Sequence, residues 1–411
     1  MIFLLPAMVL TTNVSVGFIE AVFLLGAVVC ARPLWKQRCR HPALFSTSRL
    51  ITLAFAVNLL AALGSLLATG FEGRFLENAA KMLVATLAIG LIVLLRPSPR
   101  GFWLGLAAGT LGAAGFAVYQ KFYLLMPRAE GFSMPITFGN IAIAMALMSL
   151  AGMQVFSKTR WAALPYIAFV AGVSASILSG SRGGWLALLL CIMPLYSYGR
   201  HGFKKRGACV LAGCALLLVT ACVIPETGVR ERLTDVSKEF NLYRSGNPNT
   251  SVGARLEMWH GAWGMFIEHP ATGVGRANFN QALRAMIARG KVDPAVAQYQ
   301  HAHSEMLHAL ATQGIPGLLA LLCLYGAPLL FFNRQLRNSG PHRPYALAGL
   351  LLCLSYIDFG LTQVMFSHHV PSAFYAFTLC TLAGLCLQEQ RRTAAVAETL
   401  PLRVQESSCR V

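Results

Sequence analysis

The sequence predicts an all-α polytopic membrane protein, and three observations support this fold class. Hydrophobic residues make up 56% of the 411-residue chain, and only 12% of the residues are charged, about half the share of a soluble domain. The mean hydropathy is +0.58. Apolar runs recur along the chain, as at 50–69, 82–95 and 208–224, and a bilayer is crossed by ~20 mostly apolar residues. Counting these runs predicts about twelve transmembrane helices.

The connectors between the apolar runs alternate between basic and non-basic. Basic connectors, which the positive-inside rule places in the cytoplasm, occupy residues 31–40, 96–100, 157–160, 200–206, 333–343 and 388–392. Connectors poor in Lys and Arg occupy residues 71–75, 120–135, 179–184 and 367–369. The alternation predicts nine transmembrane helices within 1–224, three within 313–388, and a polar, disordered cytoplasmic tail at 389–411. No Lys or Arg precedes the first apolar run, which predicts a retained first membrane helix rather than a cleaved signal peptide.

One long polar connector, residues 225–312, lies between the ninth and tenth predicted helices. A connector of this length is uncommon unless it has a structure of its own. Alternation places it outside the cytoplasmic membrane, which in a bacterium is the periplasm, and its nine basic and eight acidic residues nearly balance. Ser251 is a candidate cap for an amphipathic helix whose apolar stripe includes Trp259 and Trp263. This helix is expected to lie on the membrane surface or on the helix bundle.

The charge and the missing motifs argue against several function classes. Because basic residues concentrate in the cytoplasmic connectors, the net charge of +18 reflects membrane topology, and no nucleic-acid partner is predicted. The chain has no Walker motif, and the G-x-G at 273–275 follows no predicted strand, so no nucleotide-driven process is expected. None of the 11 cysteines lies in the long connector and no C-x-x-C occurs. Neither a disulfide framework nor a thiolate metal site is therefore indicated, and no cofactor is predicted.

Two arginines on the predicted outer side are candidate ligands for a phosphate group. Arg182 lies in the turn SGSRGG at 179–184, where small residues let a large ligand approach. Arg255 lies near the start of the predicted loop helix. A guanidinium presents a planar fork of donors that matches phosphate oxygens. The alternative for Arg182 is an interfacial arginine that reaches lipid headgroups, and the alternative for Arg255 is a pair with Glu257 or another carboxylate.

Three histidines, His301, His303 and His308, lie where the long connector meets the next apolar run. An imidazole exchanges a proton near pH ~6.5, so one of them is a candidate general base. Their spacing differs from H-E-x-x-H and no fourth ligand is evident, so no metal site is predicted. The alternative is that the imidazoles only cap or line the start of the helix.

Two further polar positions lie within predicted membrane helices. Asp358 interrupts an apolar run, where a carboxylate is costly and serves either a functional site or a structural ion pair. Its expected partner is an arginine from a neighbouring turn. Glu77 and Lys81 are four residues apart and are predicted to pair with each other, with Lys81 beside an anionic ligand as the alternative.

Three motifs, taken in order, resemble those of the O-antigen ligase and polymerase superfamily. They are SGSRGGWL at 179–186, G-x-R-x-x-x-W at 253–259 followed by P-x-x-G-V-G, and H-S-x-x-L-x-x-L-x-x-x-G-I-x-G at 303–317. The resemblance covers the second half of the chain, residues 135–385 in broad terms. Ser304 departs from the pattern, because the family often has Asn there, although a hydroxyl also donates and accepts hydrogen bonds.

The resemblance implies a glycosyltransferase of the bacterial inner membrane whose active site faces the periplasm. In the ligase branch, an O-antigen glycan passes from undecaprenyl pyrophosphate to a sugar hydroxyl of lipid A–core oligosaccharide, with inversion and without metal or ATP. The implied general base is His303, the implied pyrophosphate ligands are Arg182 and Arg255, and Asp358 is a supporting residue. His301 and Lys81 are added as supporting residues from their positions.

The resemblance leaves the acceptor open. An O-antigen polymerase would use a second lipid-linked glycan, and a protein O-oligosaccharyltransferase would use Ser or Thr. The compact chain, with one long outer connector and no added C-terminal domain, favours the ligase. A transporter or flippase is the alternative from another class, but it is expected to carry ionisable groups near mid-membrane, whereas the notable charges here gather at one face. The predicted partners are the lipid-linked O-antigen, lipid A–core and membrane lipids.

Overall fold

The computed structural model describes residues 2–13, 15–70, 72–198 and 238–408. These residues form helices and their connections, with no strand among them, as the composition predicts. Six helices in this part of the chain are long and apolar enough to cross a membrane, and a bent helix pair would make a seventh span. The chain is therefore a multi-pass membrane protein that is all-helical in its described part, and the number of twelve spans stays a prediction. The predicted span at 208–224, the basic connector at 200–206 and loop residues 225–237 lie outside the described residues.

Thirteen described helices precede the long loop. In chain order they are α1 (Leu4–Met8), α2 (Ser15–Val29), α3 (Ala31–Arg40), α4 (Pro42–Ser46), α5 (Arg49–Thr69), α6 (Glu77–Ala85), α7 (Leu87–Leu95), α8 (Arg100–Val118), α9 (Pro135–Ala151), α10 (Met153–Phe156), α11 (Leu164–Leu178), α12 (Leu186–Leu190) and α13 (Ile192–Tyr198). Helices α6 and α7 together form one candidate span, and a π-helical turn, Tyr119–Tyr123, extends α8.

The N-terminal helix α1 is buried in the bundle rather than crossing it. It has five residues, which at about 1.5 Å per residue is much shorter than a bilayer. Leu5 and Pro6 are buried, and α1 packs against α8. The prediction of a first membrane helix at the N-terminus is therefore wrong, because these apolar residues pack against protein.

Helices α2 and α3 are bent by 70° relative to each other. Pro33 has no N–H to donate to the carbonyl of Val29, so the helix cannot continue straight through this point. Beyond the bend, α3 carries the basic residues of the first cytoplasmic connector predicted from the sequence.

The centre of the bundle is formed by helices that bury nearly their whole surface. Every residue at 137–151 of α9 is buried, and α9 packs against α8 and α11. A Cβ atom at Gly172 of α11 would lie 2.7 Å from the carbonyl oxygen of Ala142, so the two backbones are nearly in contact. Small residues hold membrane helices together in this way, because lipid gives no hydrophobic drive for their association.

In the described second half, a short helical stretch at 238–244 precedes two loop helices and three long helices. These five helices are α14 (Ser251–Glu268), α15 (Phe279–Ala288), α16 (Glu305–Arg337), α17 (Arg343–Thr362) and α18 (His369–Ser408). Helices α16 to α18 coincide with the three spans expected after the loop. Because α18 continues to Ser408, residues 389–408 are helical, and the prediction of a disordered tail is wrong.

The loop helices share a small hydrophobic core of their own. Met258 and Ala262 of α14 belong to one buried cluster with Phe279 and Leu283 of α15. Helix α14 also packs against α16, which continues into the bundle. The described part of the loop therefore forms a folded unit on one end of the bundle, next to α16.

Helix α14 differs from its prediction in its cap, and the structure shows which of its faces is buried. The hydroxyl of Thr250, and not that of Ser251, accepts the N–H of Gly253 at 3.0 Å. The buried face carries small residues and methionines, whereas Trp263 and Ile267 are 47% and 61% exposed. The C-terminal part of the apolar stripe found in the sequence therefore faces outward, as in a helix at a membrane surface, while Trp259 is partly buried.

Candidate active site

A cavity of about 890 Å³ lies between the folded loop and the bundle. It is lined by residues of three segments, 180–183, 248–258 and 295–303, together with Arg128, Ile136, Glu239 and Thr362. Arg182, Arg255 and His303, which are far apart in the sequence, all line it. Its volume lies in the range of roughly 300–1,000 Å³ that is typical of ligand sites.

The turn at 179–184 places Arg182 at this cavity, between α11 and α12. A Cβ atom at Gly184 would lie 2.7 Å from Oδ1 of Asn140, so the backbone is pressed against α9 where no larger residue fits. The hydroxyl of Ser181 donates to the same Asn140 oxygen at 3.2 Å. The small residues thus fix the turn to the bundle, and the one long side chain among them, that of Arg182, lines the cavity.

Asp358 supports the same turn from behind. It is 1% exposed on α17, and its Oδ2 accepts the backbone N–H of Ala187 at 2.9 Å. Ala187 lies in the first turn of α12, whose N–H groups have no partner within the helix. Within the described chain, the carboxylate therefore bonds to a helix start and not to the expected arginine. It fixes α12 directly after the turn that carries Arg182.

Arg255 lines the cavity from the loop side, on α14. Its alternative partner, Glu257, instead accepts the hydroxyl of Tyr243 at 2.8 Å and the N–H of Asp293 at 2.9 Å. Among the described residues, the Arg255 guanidinium has no hydrogen bond or ion pair within 4 Å. Burial lowers the pKa of Arg255 and the carboxylate of Glu239 raises it, but an arginine stays protonated at any relevant pH. A half-buried cation therefore faces the cavity.

His303 has a backbone φ of +48°, an uncommon left-handed conformation for a residue with a side chain. Its ring centroid lies 5.8 Å from that of Tyr299 and 4.4 Å from that of His301. Burial, followed by the neighbouring His301 and Arg255, lowers the pKa of His303 to about 3, although the Gln363 amide acts in the opposite direction. The imidazole is therefore neutral near pH 7, the form that accepts a proton.

His303 belongs to a histidine cluster formed with His301, His308 and His368. The His301 ring lies 5.4 Å from that of His368 and 6.5 Å from that of His308, between centroids. In the described structure, Nε2 of His301 and of His368 are buried without a hydrogen-bond partner. Burial lowers the pKa of His301, and it lowers that of His368 to about 4. Among the described residues, no group of three His, Cys, Asp or Glu side chains is arranged to hold a metal ion.

A backbone joint between loop residues 270–275 and residues 311–315 of α16 holds the histidine cluster in place. The N–H of Val274 donates to the carbonyl of Ala311 at 2.9 Å. Gly314 breaks α16 with φ +64° and ψ −155°, and a Cβ atom there would lie 2.4 Å from a carbonyl oxygen of the loop segment. The P-x-x-G-V-G motif is therefore a structural joint, since its N–H groups bond to helix carbonyls and not to a phosphate.

Lys81 does not line the cavity. Its ammonium contacts Glu77, which confirms that predicted pair, and it lies 3.4 Å from Oε2 of Glu20. It also lies 3.0 Å from Nδ1 of His369. Lys81 therefore belongs to a polar cluster outside the cavity, formed with Glu20, Glu77 and His369.

Several residues of the site were not singled out from the sequence: Arg128, Tyr299, Thr362, Gln363 and His368. Arg128 lies in the outer connector 120–135, and its Nε donates to the carbonyl of Ser179 at 2.7 Å. In the sequence, the only feature that these five residues share is a position in, or close to, a connector predicted on the outer side. Such a position marks a face of the protein and no particular site.

Comparison with known proteins points to one family. The family described as O-Antigen ligase matches residues 167–322. An O-antigen ligase of Escherichia coli K12 is 24% identical over 179 residues, which are 43% of this chain and 40% of that protein. Over residues 167–322, the chain is therefore similar to the O-antigen ligase family. An uncharacterized protein of Haemophilus influenzae is also 24% identical, over 311 residues that are 74% of this chain and 77% of that protein.

The segment that matches the O-antigen ligase family contains Arg182, Arg255 and His303. It ends before Asp358 and begins after Arg128, which are contributed by the surrounding bundle. The similarity to the O-antigen ligase family agrees with a site that concentrates cations and a neutral imidazole beside an apolar bundle.

Proposed function

We propose that this chain is a glycosyltransferase that moves O-antigen from undecaprenyl pyrophosphate to a sugar hydroxyl of lipid A–core oligosaccharide. The observation that carries the proposal is the meeting of Arg182, Arg255 and His303 at one cavity between the loop and the bundle. We place this cavity on the periplasmic face of the bacterial inner membrane, because the basic connectors are predicted at the other ends of the helices.

The cavity offers the donor a cationic site next to an apolar surface. Guanidinium forks match pyrophosphate oxygens, and each charge-assisted hydrogen bond contributes about 1.5–3 kcal/mol. Arg128 brings a third guanidinium to the lining. Helices α12 and α13 follow the arginine turn directly and expose Leu189 and Met193 at 64% and 76%. In the proposed complex, the pyrophosphate binds the arginines and the polyprenyl chain lies against this apolar surface.

In the proposed reaction, the oxygen of the acceptor hydroxyl bonds to the anomeric carbon of the donor sugar while the bond from that carbon to pyrophosphate oxygen breaks. The hydroxyl proton passes to a ring nitrogen of His303, and the bonding electron pair leaves with undecaprenyl pyrophosphate. Attack from the side opposite the leaving group inverts the anomeric centre. Arg182 and Arg255 stabilise the negative charge that develops as the bond breaks. The donor bond supplies the energy, so no nucleotide is required.

Donor binding would also change the pKa of His303, the candidate base. Without a ligand, the charge of Arg255 contributes to the low pKa of His303. A pyrophosphate bound to Arg255 brings negative charge close to the imidazole, and negative charge favours its protonated form. The pKa of His303 therefore rises toward the working pH when the donor is in place, which is where a general base is most effective. His301, 4.4 Å away between ring centroids, supports the same imidazole.

The proposal is tested by measuring donor binding and glycan transfer separately. His303→Ala should abolish transfer and leave donor affinity nearly unchanged, because its assigned role is in the chemical step. Arg255→Gln should weaken donor binding roughly 10-fold or more, the equivalent of one lost charge-assisted contact. Loss of donor binding in His303→Ala would assign His303 to recognition and contradict its role as base.

The acceptor is tested with three compounds offered to the same preparation. Lipid A–core should be glycosylated, and the product should carry the inverted anomeric configuration. Growth of a second lipid-linked glycan would instead indicate a polymerase. Modification of a Ser or Thr peptide would indicate a protein O-oligosaccharyltransferase.

A further inference from the structure

A second cavity, of about 410 Å³, opens between the bent pair α2–α3 and helices α5 and α7. Helix α5 runs from this cavity to the loop beside the candidate active site, so its length gives the distance between the two. The first residue of α5, Arg49, lines this cavity, whereas its last residue, Thr69, accepts a hydrogen bond from Asn278 of the loop at 3.1 Å. Helix α5 has 21 residues and is therefore ~30 Å long. The second cavity thus lies about one membrane thickness from the folded loop.

The walls of this cavity are apolar and open to the outside of the bundle. Leu24 and Val28 of α2 and Leu87 of α7 line it, and they are 48%, 67% and 40% exposed. Trp35 of α3 lines it too and is 72% exposed. Tryptophan is enriched at the level of lipid headgroups, so the α3 side of the cavity has the character of a membrane interface and the α2 side that of the bilayer interior.

Two arginines from different helices line the same cavity. Arg38 comes from α3, which the 70° bend turns away from the direction of α2, and Arg49 comes from the start of α5. Both side chains are exposed, and neither has a hydrogen bond or ion pair with a described residue. Glu389, near the end of the spanning part of α18, is the only acid among the described side chains of the connectors at this end. The described carboxylates at this end therefore neutralise little of the positive charge of Arg38 and Arg49.

We propose that this cavity binds an anionic phospholipid, with an acyl chain against the apolar wall and the phosphate between Arg38 and Arg49. Basic pockets between membrane helices recognise such headgroups, and each basic residue near the surface contributes about 1 kcal/mol. A zwitterionic lipid carries its own cation and would leave the two arginines uncompensated. A polyprenyl phosphate has a chain far longer than an acyl chain, which a cavity of about 410 Å³ would cover only in part.

The bound lipid would lie between helices that pack on different neighbours. Helix α3 packs on α7, and α5 packs on α6, while the cavity separates α3 from the start of α5. A lipid in this position fills that gap and holds the bend between α2 and α3. Its role is structural and is independent of the proposed glycosyl transfer.

The test is native mass spectrometry of protein taken from bilayers of phosphatidylglycerol and phosphatidylethanolamine. The Arg38→Gln/Arg49→Gln variant is compared with Arg32→Gln/Arg40→Gln, which removes the same charge from exposed positions of α3 outside the cavity lining. Wild type and the control should retain one phosphatidylglycerol per chain. The Arg38/Arg49 variant should hold it roughly 10-fold or more weakly, the equivalent of two headgroup contacts.

Three outcomes would overturn the proposal. Equal loss of lipid from both double variants would show a general effect of surface charge. Equal retention of phosphatidylethanolamine would show that the cavity does not distinguish lipids by the charge of their headgroups. A polyprenyl phosphate bound in place of the phospholipid would show that the occupant is wrong. Because all four arginines are exposed, both variants should fold, which thermal unfolding before the measurement verifies.

Discussion

Acidification should destabilise the folded chain through the histidine cluster, and His303 sets the size of the effect. A histidine in an unfolded chain has a pKa of ~6.5, whereas the pKa of His303 in the folded protein is about 3. Between these values the unfolded chain binds a proton that the folded chain does not. The free energy of unfolding should therefore fall as the pH drops from ~6.5, and it should be nearly constant above pH ~7.

The magnitude follows from the distance between the chosen pH and the unfolded pKa. At pH 5 this distance is ~1.5 units, and at ~1.4 kcal/mol per unit His303 contributes a loss of at most about 2 kcal/mol. The result depends little on the folded value, because at pH 5 an imidazole with a pKa of about 3 is almost fully neutral. His368, whose folded pKa is about 4, should contribute a similar loss.

The assay is unfolding by SDS in mixed micelles at pH 7 and pH 5, for wild type and His303→Gln. The loss of unfolding free energy between the two pH values should be about 2 kcal/mol smaller in the variant. Comparing the two pH values removes the structural cost of the substitution itself. His260→Gln, at an exposed position of α14, is the matched control and should behave as wild type. An unchanged pH response in His303→Gln would refute the reasoning, because the fold would then not be holding this imidazole neutral.

Three further predictions concern the elements that hold the site. Gly314→Ala should cost about 1–3 kcal/mol of stability, because a side chain there meets an unfavourable φ and the facing loop carbonyl. The control in thermal unfolding is Gly326→Ala, where a Cβ atom has open space. Equal losses of stability in the two variants would contradict the prediction. Asp358→Leu should lower stability by about 1–3 kcal/mol and raise the donor KM. Asp358→Asn keeps an acceptor for the α12 N–H, so its stability and donor KM should be close to those of wild type. Equal loss of kcat in both variants, with KM unchanged, would point to a direct role in the chemistry. Arg128→Gln should raise the donor KM roughly 10-fold with little change in kcat, and steady-state kinetics showing the opposite split would argue against a binding role.

The helical fold class was predictable, and the three candidate residues that line the main cavity could be singled out, because each has a local signal. Run length and composition mark membrane helices, and the alternating basic connectors distinguish their two ends. Arg182 lies in a glycine-rich turn, and His303 follows the long polar loop, so both were recognisable without knowledge of their neighbours. Their convergence on one cavity depends on packing, which the sequence indicated only through the order of the motifs.

The errors share a physical cause, since each concerns a contact partner rather than a residue type. An acid in an apolar run indicates a buried polar partner, but the partner of Asp358 is the backbone of α12, which only the packing of α17 brings close. Helical periodicity separates the two faces of α14 and does not show which face the protein buries, so the sequence left open whether Trp263 faces the membrane surface or the bundle. The apolar N-terminus resembles a span in composition, and the burial of Leu5 in the bundle has no local signal.

The most direct test of the central claim combines the purified chain, undecaprenyl-pyrophosphate-linked O-antigen and lipid A–core, with EDTA and without nucleotide. The measurement is the ladder of conjugated lipopolysaccharide, made by wild type and by His303→Ala side by side. The proposed mechanism predicts a ladder from wild type and none from the variant. A ladder that appears only after a divalent metal is restored, or one that His303→Ala still produces, would contradict it.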